Sequence, residues 1–322
     1  MQHYLKYRIP HHLIKGKLSN KYYKQINFFI DLQSIARGFF NKNVIQMEVS
    51  NYLESHKPPT IFTEELQIFL KQLYEQYANY NLKFVIFYDV GSQNQNKSID
   101  SGYKNDRGGA LDSILDNEHQ ELFRQIRKYY FEDIAAKFNI GNTCSVIYLK
   151  NVETDFIPFY AIDNGHLNSR EPDTCNIVLS IDKDLLQCCK FDNTFQPISL
   201  FKNKQIDMQI YDDYNALTYL CDKIKPGLLS SEYVPLLLAL SGDKADGVHN
   251  LYRGLGIQKA MQIIVRNNLP AIFNSSYELP LELAVYKQQL LKNLSITSFE
   301  LQAKRIGLMD IDIITKQLQA LS

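Results

Sequence analysis

Two aspartates one residue apart, Asp182 and Asp184, close the apolar run NIVLSIDKD (176–184). Taken alone, Asp182 could be an N-cap whose carboxylate accepts backbone N–H bonds at the start of DLLQCC. The pattern recurs, however. INFFID (26–31) ends in Asp31, KFVIFYD (83–89) in Asp89, and CSVIYLKNVETD (144–155) in Glu153 and Asp155. Further along, GDKAD places Asp243 and Asp246 at a helix-like i, i+3 spacing. Unit charges about 5 Å apart repel by about 3 kcal/mol at an effective dielectric of about 20, so carboxylates gathered this densely require cations. The set contains no Cys or His, and all-oxygen ligation suits Mg²⁺ or Mn²⁺ rather than zinc. Two such cations about 4 Å apart can position and acidify an attacking water and neutralise charge on an in-line phosphoryl transition state. That chemistry displaces the cap as the expected role of Asp182 and Asp184.

The elements that must position these residues are legible from periodicity. Each of the four runs is nearly continuous Val, Ile, Phe, Leu or Tyr, as in strands covered on both faces. Between them, TEELQIFLKQLYEQYANY (63–80) and HQELFRQIRKYYFEDIAAKF (119–138) repeat apolar residues at three and four, which predicts helices. Alternating strand and helix predicts an α/β fold with a parallel sheet. Ligands bind such sheets at the carboxyl ends of the strands, so the carboxylates are expected along one edge. Residues 192–215 read as a hairpin and a turn, followed by a mainly helical region.

The polar, Gly-rich segment 91–110 follows Asp89 directly and is expected to overhang the acidic edge. In it, Tyr103, Lys104 and Arg107 share one face if the segment turns helical. Lys104 and Arg107 would then stabilise charge on a scissile phosphate, with Tyr103 stacking on a base. Farther on, GLGIQKA sets Gly254 and Gly256 before a new helix, with Lys259 nearby. Glycines there let backbone N–H groups approach a phosphate, helped by the helix dipole; an ordinary glycine C-cap is the competing reading. Together these features point to a nucleic-acid backbone as substrate.

Bulk properties limit the alternatives. The 322 residues carry 35 basic and 35 acidic side chains, so net charge selects no partner. Before Asp31 the chain has no acidic residue, and Lys6, Arg8, Lys15, Lys17, Lys21 and Lys24 lie among tyrosines, as a basic arm on nucleic acid or a solvated tail. This segment lacks the apolar run and cleavage site of a secretory signal, and no window resembles a membrane span. Five cysteines without a CxxC pair fit a reducing, cytoplasmic setting, and no HExxH or HxxxH spacing points to a zinc hydrolase.

In their chain order, INFFIDLQSIARGFF, VIFYDVG, GYKNDRG, NVETDFI, VLSIDKDLLQ and LSGDKADGVHNLYRGLGIQKA resemble the motifs of the flap endonuclease, or 5′-nuclease, family, nearest to its phage RNase H/5′-exonuclease branch. The resemblance spans roughly residues 26–265, with a weaker echo in the tail. It implies a PIN-like core over 26–225 with an arch at about 91–130, after a basic extension (1–25). A helical, helix-hairpin-helix-type subdomain and tail would follow over 226–322. It makes Asp31, Asp89, Glu153, Asp155, Asp182, Asp184, Asp243 and Asp246 ligands of two Mg²⁺ ions, Mn²⁺ substituting, with Asp182 facing the first metal and Asp184 the second.

Tyr103, Lys104 and Arg107 take arch-base roles in this comparison, and K⁺ could sit at the glycine hairpin. The sequence departs from the family at Phe156, where an aspartate is usual, at Gly247, where Asn is usual, and in the longer loop HNLYRG. The implied protein is a monomeric, phage-encoded 5′ to 3′ nuclease of the (host) cytoplasm, acting on 5′ flaps, nicks, ends or RNA/DNA hybrids in replication or repair. A single-strand-binding protein or a polymerase could be its partner. A PIN-like endoribonuclease and a catalytically weakened nucleic-acid-binding homologue are the rival readings.

Overall fold

The computed structural model of the protein describes residues 9–36, 42–55, 61–89, 132–149, 152–202 and 205–321. Strands β1 (Gln25–Asp31), β2 (Asn81–Phe87), β3 (Cys144–Ile147), β4 (Thr174–Leu179), β5 (Thr194–Lys202) and β6 (Gln205–Tyr211) form one sheet in the order β3-β2-β1-β4-β5-β6. Neighbours from β3 to β5 run parallel, and β5 and β6 close the far edge as an antiparallel hairpin. Every residue of β1 and β4 is buried, as continuous apolar runs require when helices cover both faces.

The strands are shorter than their apolar runs suggest. The last paired residues of β1, β2 and β3 are Asp31, Phe87 and Ile147, and Leu179 of β4 lies beside Ile30. Their carboxyl ends are therefore nearly level. Only Asp31 lies within its strand. Asp89, Glu153, Asp155, Asp182 and Asp184 fall on the connections that follow, which corrects the expectation that each strand terminates on its carboxylate.

Side-chain alternation sends β1 to two cores. Ile26, Phe28 and Ile30 pack with Leu66, Phe69 and Leu73 of helix Ile61–Gln76 and with Ile14 and Leu18 of helix His11–Leu18. Phe29 joins Val85, Phe87 and Val178 on the other face, against Phe159 and Ile162 of helix Ile157–Asp163 and Ile314, Leu318 and Leu321 of the carboxyl-terminal segment. A third cluster surrounds helix Val234–Ser241, whose Val234 to Leu240 are all buried, and includes Ile263, Leu290 and the hairpin residues Ile198 and Tyr211. Among the described residues, no helix is long and apolar enough to cross a membrane.

The amino-terminal residues from 9 onward belong to this body rather than to an arm or tail. Ile14 is fully buried, and Lys17 forms an ion pair with Asp212. Ile14→Ala should therefore cost about 2–4 kcal/mol in denaturant unfolding. A value near zero would return this segment to the status of a loose extension.

Candidate metal centre

The sheet changes its direction of growth between β1 and β4. From β1 the chain adds β2 and β3 on one side, then crosses to place β4 and β5 on the other. Such a switch point leaves a crevice at the carboxyl ends of the two central strands. Asp31 ends β1 at that crevice, and Ser180 follows β4 directly across from it. The Asp31 carboxylate accepts bonds from the Ser34 amide (3.0 Å), the Ser34 hydroxyl and the Ser180 hydroxyl (2.6 Å). Burial pushes its pKa up, the Ser180 and Ser34 bonds pull it down, Asp182 pushes it up again, and the result is about 6.

Past β4, Asp182 caps the 3₁₀ run Lys183–Lys190, its carboxylate accepting the Asp184 amide at 3.0 Å. The cap set aside on sequence grounds is thus present, and it fixes the turn that aims Asp184. Two buried amides hold the same stretch from outside. Gln196 of β5 donates to the Ser180 carbonyl (3.0 Å) and the Asp182 carbonyl (2.8 Å). Gln187 donates to the Asp184 carbonyl (2.8 Å) and the Thr297 carbonyl (3.2 Å), while accepting the Phe299 amide (2.8 Å). Cys188 and Cys189 are fully buried packing residues.

The other half of the site is a compact loop after helix Val234–Ser241. Asp243 and Val248 exchange backbone bonds of 2.7 and 2.8 Å, and Asp243 precedes the 3₁₀ turn Lys244–Asp246 that Asp246 ends. Gly242 begins the loop at φ +79°, where a Cβ would stand 2.4 Å from the Asn250 amide nitrogen. Gly247 adopts φ +70°, a left-handed conformation that Gly and Asn both tolerate, so its departure from the family pattern keeps the backbone. Asn293, buried on helix Lys287–Thr297, donates to the Ala239 carbonyl (2.8 Å) and the His249 carbonyl (2.9 Å), fastening the loop to the helical core.

These two halves bring Asp184, Asp243 and Asp246 together, with one carboxylate oxygen of each within 4.8 Å of the others. Asp184 Oδ1 is buried and accepts no hydrogen bond. Burial, then Asp182 and Asp246, push the Asp184 pKa well above the usual carboxylate range. Three carboxylate oxygens with no sulfur or nitrogen among them fit a hard divalent cation. Lys183, unsuspected from sequence, reaches into the cluster, its Nζ 2.5 Å from Asp243 and 3.9 Å from Asp184. Burial works against its charge, but Asp184 and Asp243 outweigh this and raise its pKa. Its position inside DKD was the available signal.

The remaining predicted ligands do not close into a second such set among the described residues. Asp89 accepts the Thr154 amide (2.7 Å) and hydroxyl (3.0 Å), so its carboxylate is turned to the 152–156 stretch. In that stretch Glu153 is buried and Asp155 partly exposed. Phe156 is fully buried in the sheet's second core, its ring 6.5 Å from that of Tyr160, so this position packs rather than ligates. The set of three forms without it. Asp31, Asp89 and Asp182 each accept protein hydrogen bonds, and the Asp182 charge pushes up the pKa of both Asp31 and Asp184.

Gly254 turns at φ +85° and Gly256 caps helix Ile257–Asn267, with Lys259 exposed on its first turn. Gly254 ends no helix, since residues 249–254 are loop and turn, so the ordinary C-cap reading is replaced. A Cβ at either glycine would meet nothing within 4 Å, leaving open space beside the helix N-terminus. Tyr103, Lys104 and Arg107 lie outside the described residues.

Two expectations follow from this geometry. An Asp31 carboxyl with a folded pKa of about 6, above its ordinary 3.8, keeps its proton in the folded chain after the unfolded chain has lost it. Stability in EDTA should therefore fall by about 3 kcal/mol as pH rises from about 4 to about 6 and level off above; Asp31→Asn should flatten that slope in melts across pH. Gly242→Ala should cost about 3 kcal/mol in denaturant unfolding, from the left-handed φ and the backbone collision together.

No family model matches the sequence, and no curated protein matches it. Solved structures do match in fold. A 5′-exonuclease of bacteriophage T5 with divalent metal ions (zinc) bound superposes with a TM-score of 0.63 at 17% identity, over 92% of this chain and 99% of that one. The phage T5 flap endonuclease in a product-type complex with DNA and metal ions gives 0.63 at 16% identity, over 92% and 97%. The T5 protein co-crystallised with metal ions gives 0.64 at 16%, over 92% and 99%. With the sheet order, the switch-point crevice and the acidic loop already in place, this near end-to-end superposition gives the chain the fold of the 5′-exonucleases and flap endonucleases.

Proposed function

We propose that the protein is a divalent-metal-dependent 5′ to 3′ nuclease that hydrolyses phosphodiesters near 5′ ends, flaps or primers. The observation that carries this reading is the meeting of Asp184, Asp243 and Asp246 at the switch point of a fold whose solved examples hold metal ions and DNA. Asp184, Asp243 and Asp246 would hold one cation, and Asp31, Asp89, Glu153, Asp155 and Asp182 would hold the other. The all-oxygen donor set favours Mg²⁺ or Mn²⁺. Cations bound there would supply acidification of the attacking water and neutralisation of charge at the scissile phosphate.

The chain's own groups do the rest. Asp182, as a cap, holds Asp184 in aim, and Ser34 and Ser180 hold Asp31. Lys104 and Arg107 stabilise the charge that develops on the phosphate, and Tyr103 stacks on a base of the 5′ strand. Gly254, Gly256 and Lys259 take the duplex backbone at a helix N-terminus, with K⁺ as a further counterion. The Asp243 loop and the glycine turn are additions that a simple PIN-like endoribonuclease lacks, and they favour the nuclease of 5′ ends.

Incubation with 5′-labelled flap, nicked-duplex and RNA/DNA-hybrid substrates tests this. Cleavage should require Mg²⁺ or Mn²⁺ and stop in EDTA, and Asp184→Asn, Lys104→Ala and Arg107→Ala should each slow single-turnover cleavage about 100-fold or more. Cleavage that persists in EDTA, or Asp184→Asn cutting at the parental rate, would sink the metal mechanism. Tight duplex binding without cleavage would favour the weakened binding homologue.

A further inference from the structure

Lys183 is carried into the acidic cluster by the same turn that aims Asp184. Its backbone lies between Asp182, which caps the 3₁₀ run, and Asp184, so its stem starts beside the site and cannot be far from it. Its ammonium lies 2.5 Å from Asp243 Oδ2 and 3.9 Å from Asp184 Oδ1. These are carboxylates of the set whose oxygens come within 4.8 Å of one another. Lys183 brings a single positive charge to these carboxylates, and an ammonium offers no fixed coordination geometry. A divalent cation supplies twice the charge and binds several oxygens at once.

The two kinds of cation compete for the same carboxylates, Asp184 and Asp243. An ammonium seated on Asp243 Oδ2 and a divalent ion held by the same carboxylates would repel each other at close range. Lysine is suited to yield, because its head is a hydrated point charge on a flexible four-carbon stem, and the side chain is already 28% exposed. We propose that Lys183 is a resident counter-cation of this cluster: it holds Asp184 and Asp243 together in the metal-free protein and leaves the site when a divalent cation binds. The proposal rests on the divalent-metal reading above. In its terms, the apparent metal affinity of the cluster is lowered by the fraction of molecules in which the lysine is seated.

The test uses the intact protein and does not depend on cleavage. Brief acetylation with a limiting reagent, read lysine by lysine by mass spectrometry, is run in EDTA and at a Mn²⁺ concentration shown by calorimetry to saturate binding. Lys183 should become about fivefold more reactive with Mn²⁺, while the exposed Lys304 and Lys316, paired with Glu300 and Asp312, stay unchanged. Calorimetry of Lys183→Met, checked for folding by its melt, should show Mn²⁺ bound about tenfold more tightly. Its melting temperature in EDTA should be lower than that of the parent. Lys183→Arg, which keeps the charge, should bind Mn²⁺ no more tightly than the parent. Saturating Mn²⁺ that leaves Lys183 labelling unchanged or lowers it would overturn the lysine exchange while leaving the metal reading intact, and so would unchanged or weaker binding by a folded Lys183→Met. Absence of any Mn²⁺ binding would overturn both.

Discussion

Negative charge must be held against itself in this molecule, and much of the surrounding architecture can be understood from that requirement. Three carboxylate oxygens within 4.8 Å repel one another by about 3 kcal/mol per pair at an effective dielectric of about 20. Such a cluster persists only where the backbone that carries it is independently fixed. Here the fixing is done by buried amides: Gln187 and Gln196 around the Asp182–Asp184 turn, and Asn293 behind the Asp243–Asp246 loop. Each donates to a backbone carbonyl of the connecting segment it holds.

The same connections show how a cap and a ligand can be one residue pair. Asp182 accepts the amide of Asp184, which closes the first turn of the 3₁₀ run and leaves the Asp184 side chain pointing toward Asp243 and Asp246. The cap and the acidic site had seemed to be rival explanations of VLSIDKD. They are successive steps of one arrangement, since the helix start that needs a cap is also what turns the second carboxylate inward.

The sheet supplies the frame for both halves. Level strand ends, with Asp31 beside Phe87 and Ile30 beside Leu179, put the switch-point crevice at the center of the carboxyl edge. Helix Val234–Ser241, apolar on every side, anchors the Asp243 loop in a core shared with the β5–β6 hairpin, so the two halves of the site rest on continuous packing.

Alternating apolar runs and helical periods determined the parallel α/β sheet, and the recurrence of carboxylates after those runs determined that an acidic edge exists. Those are local properties, because burial on both faces of a strand and the period of a helix are written in consecutive residues. Local pattern did not show where each strand stops, since a strand ends where its neighbour ceases to offer hydrogen bonds. Nor did it show that Asp89 turns to Thr154, that Phe156 belongs to the core, or that Lys183 lies among the acids. The meeting of Asp184 with Asp243 and Asp246 was decided only by tertiary structure, because it joins residues some sixty positions apart through Gln187, Gln196 and Asn293, whose partners are backbone atoms that no residue pattern displays.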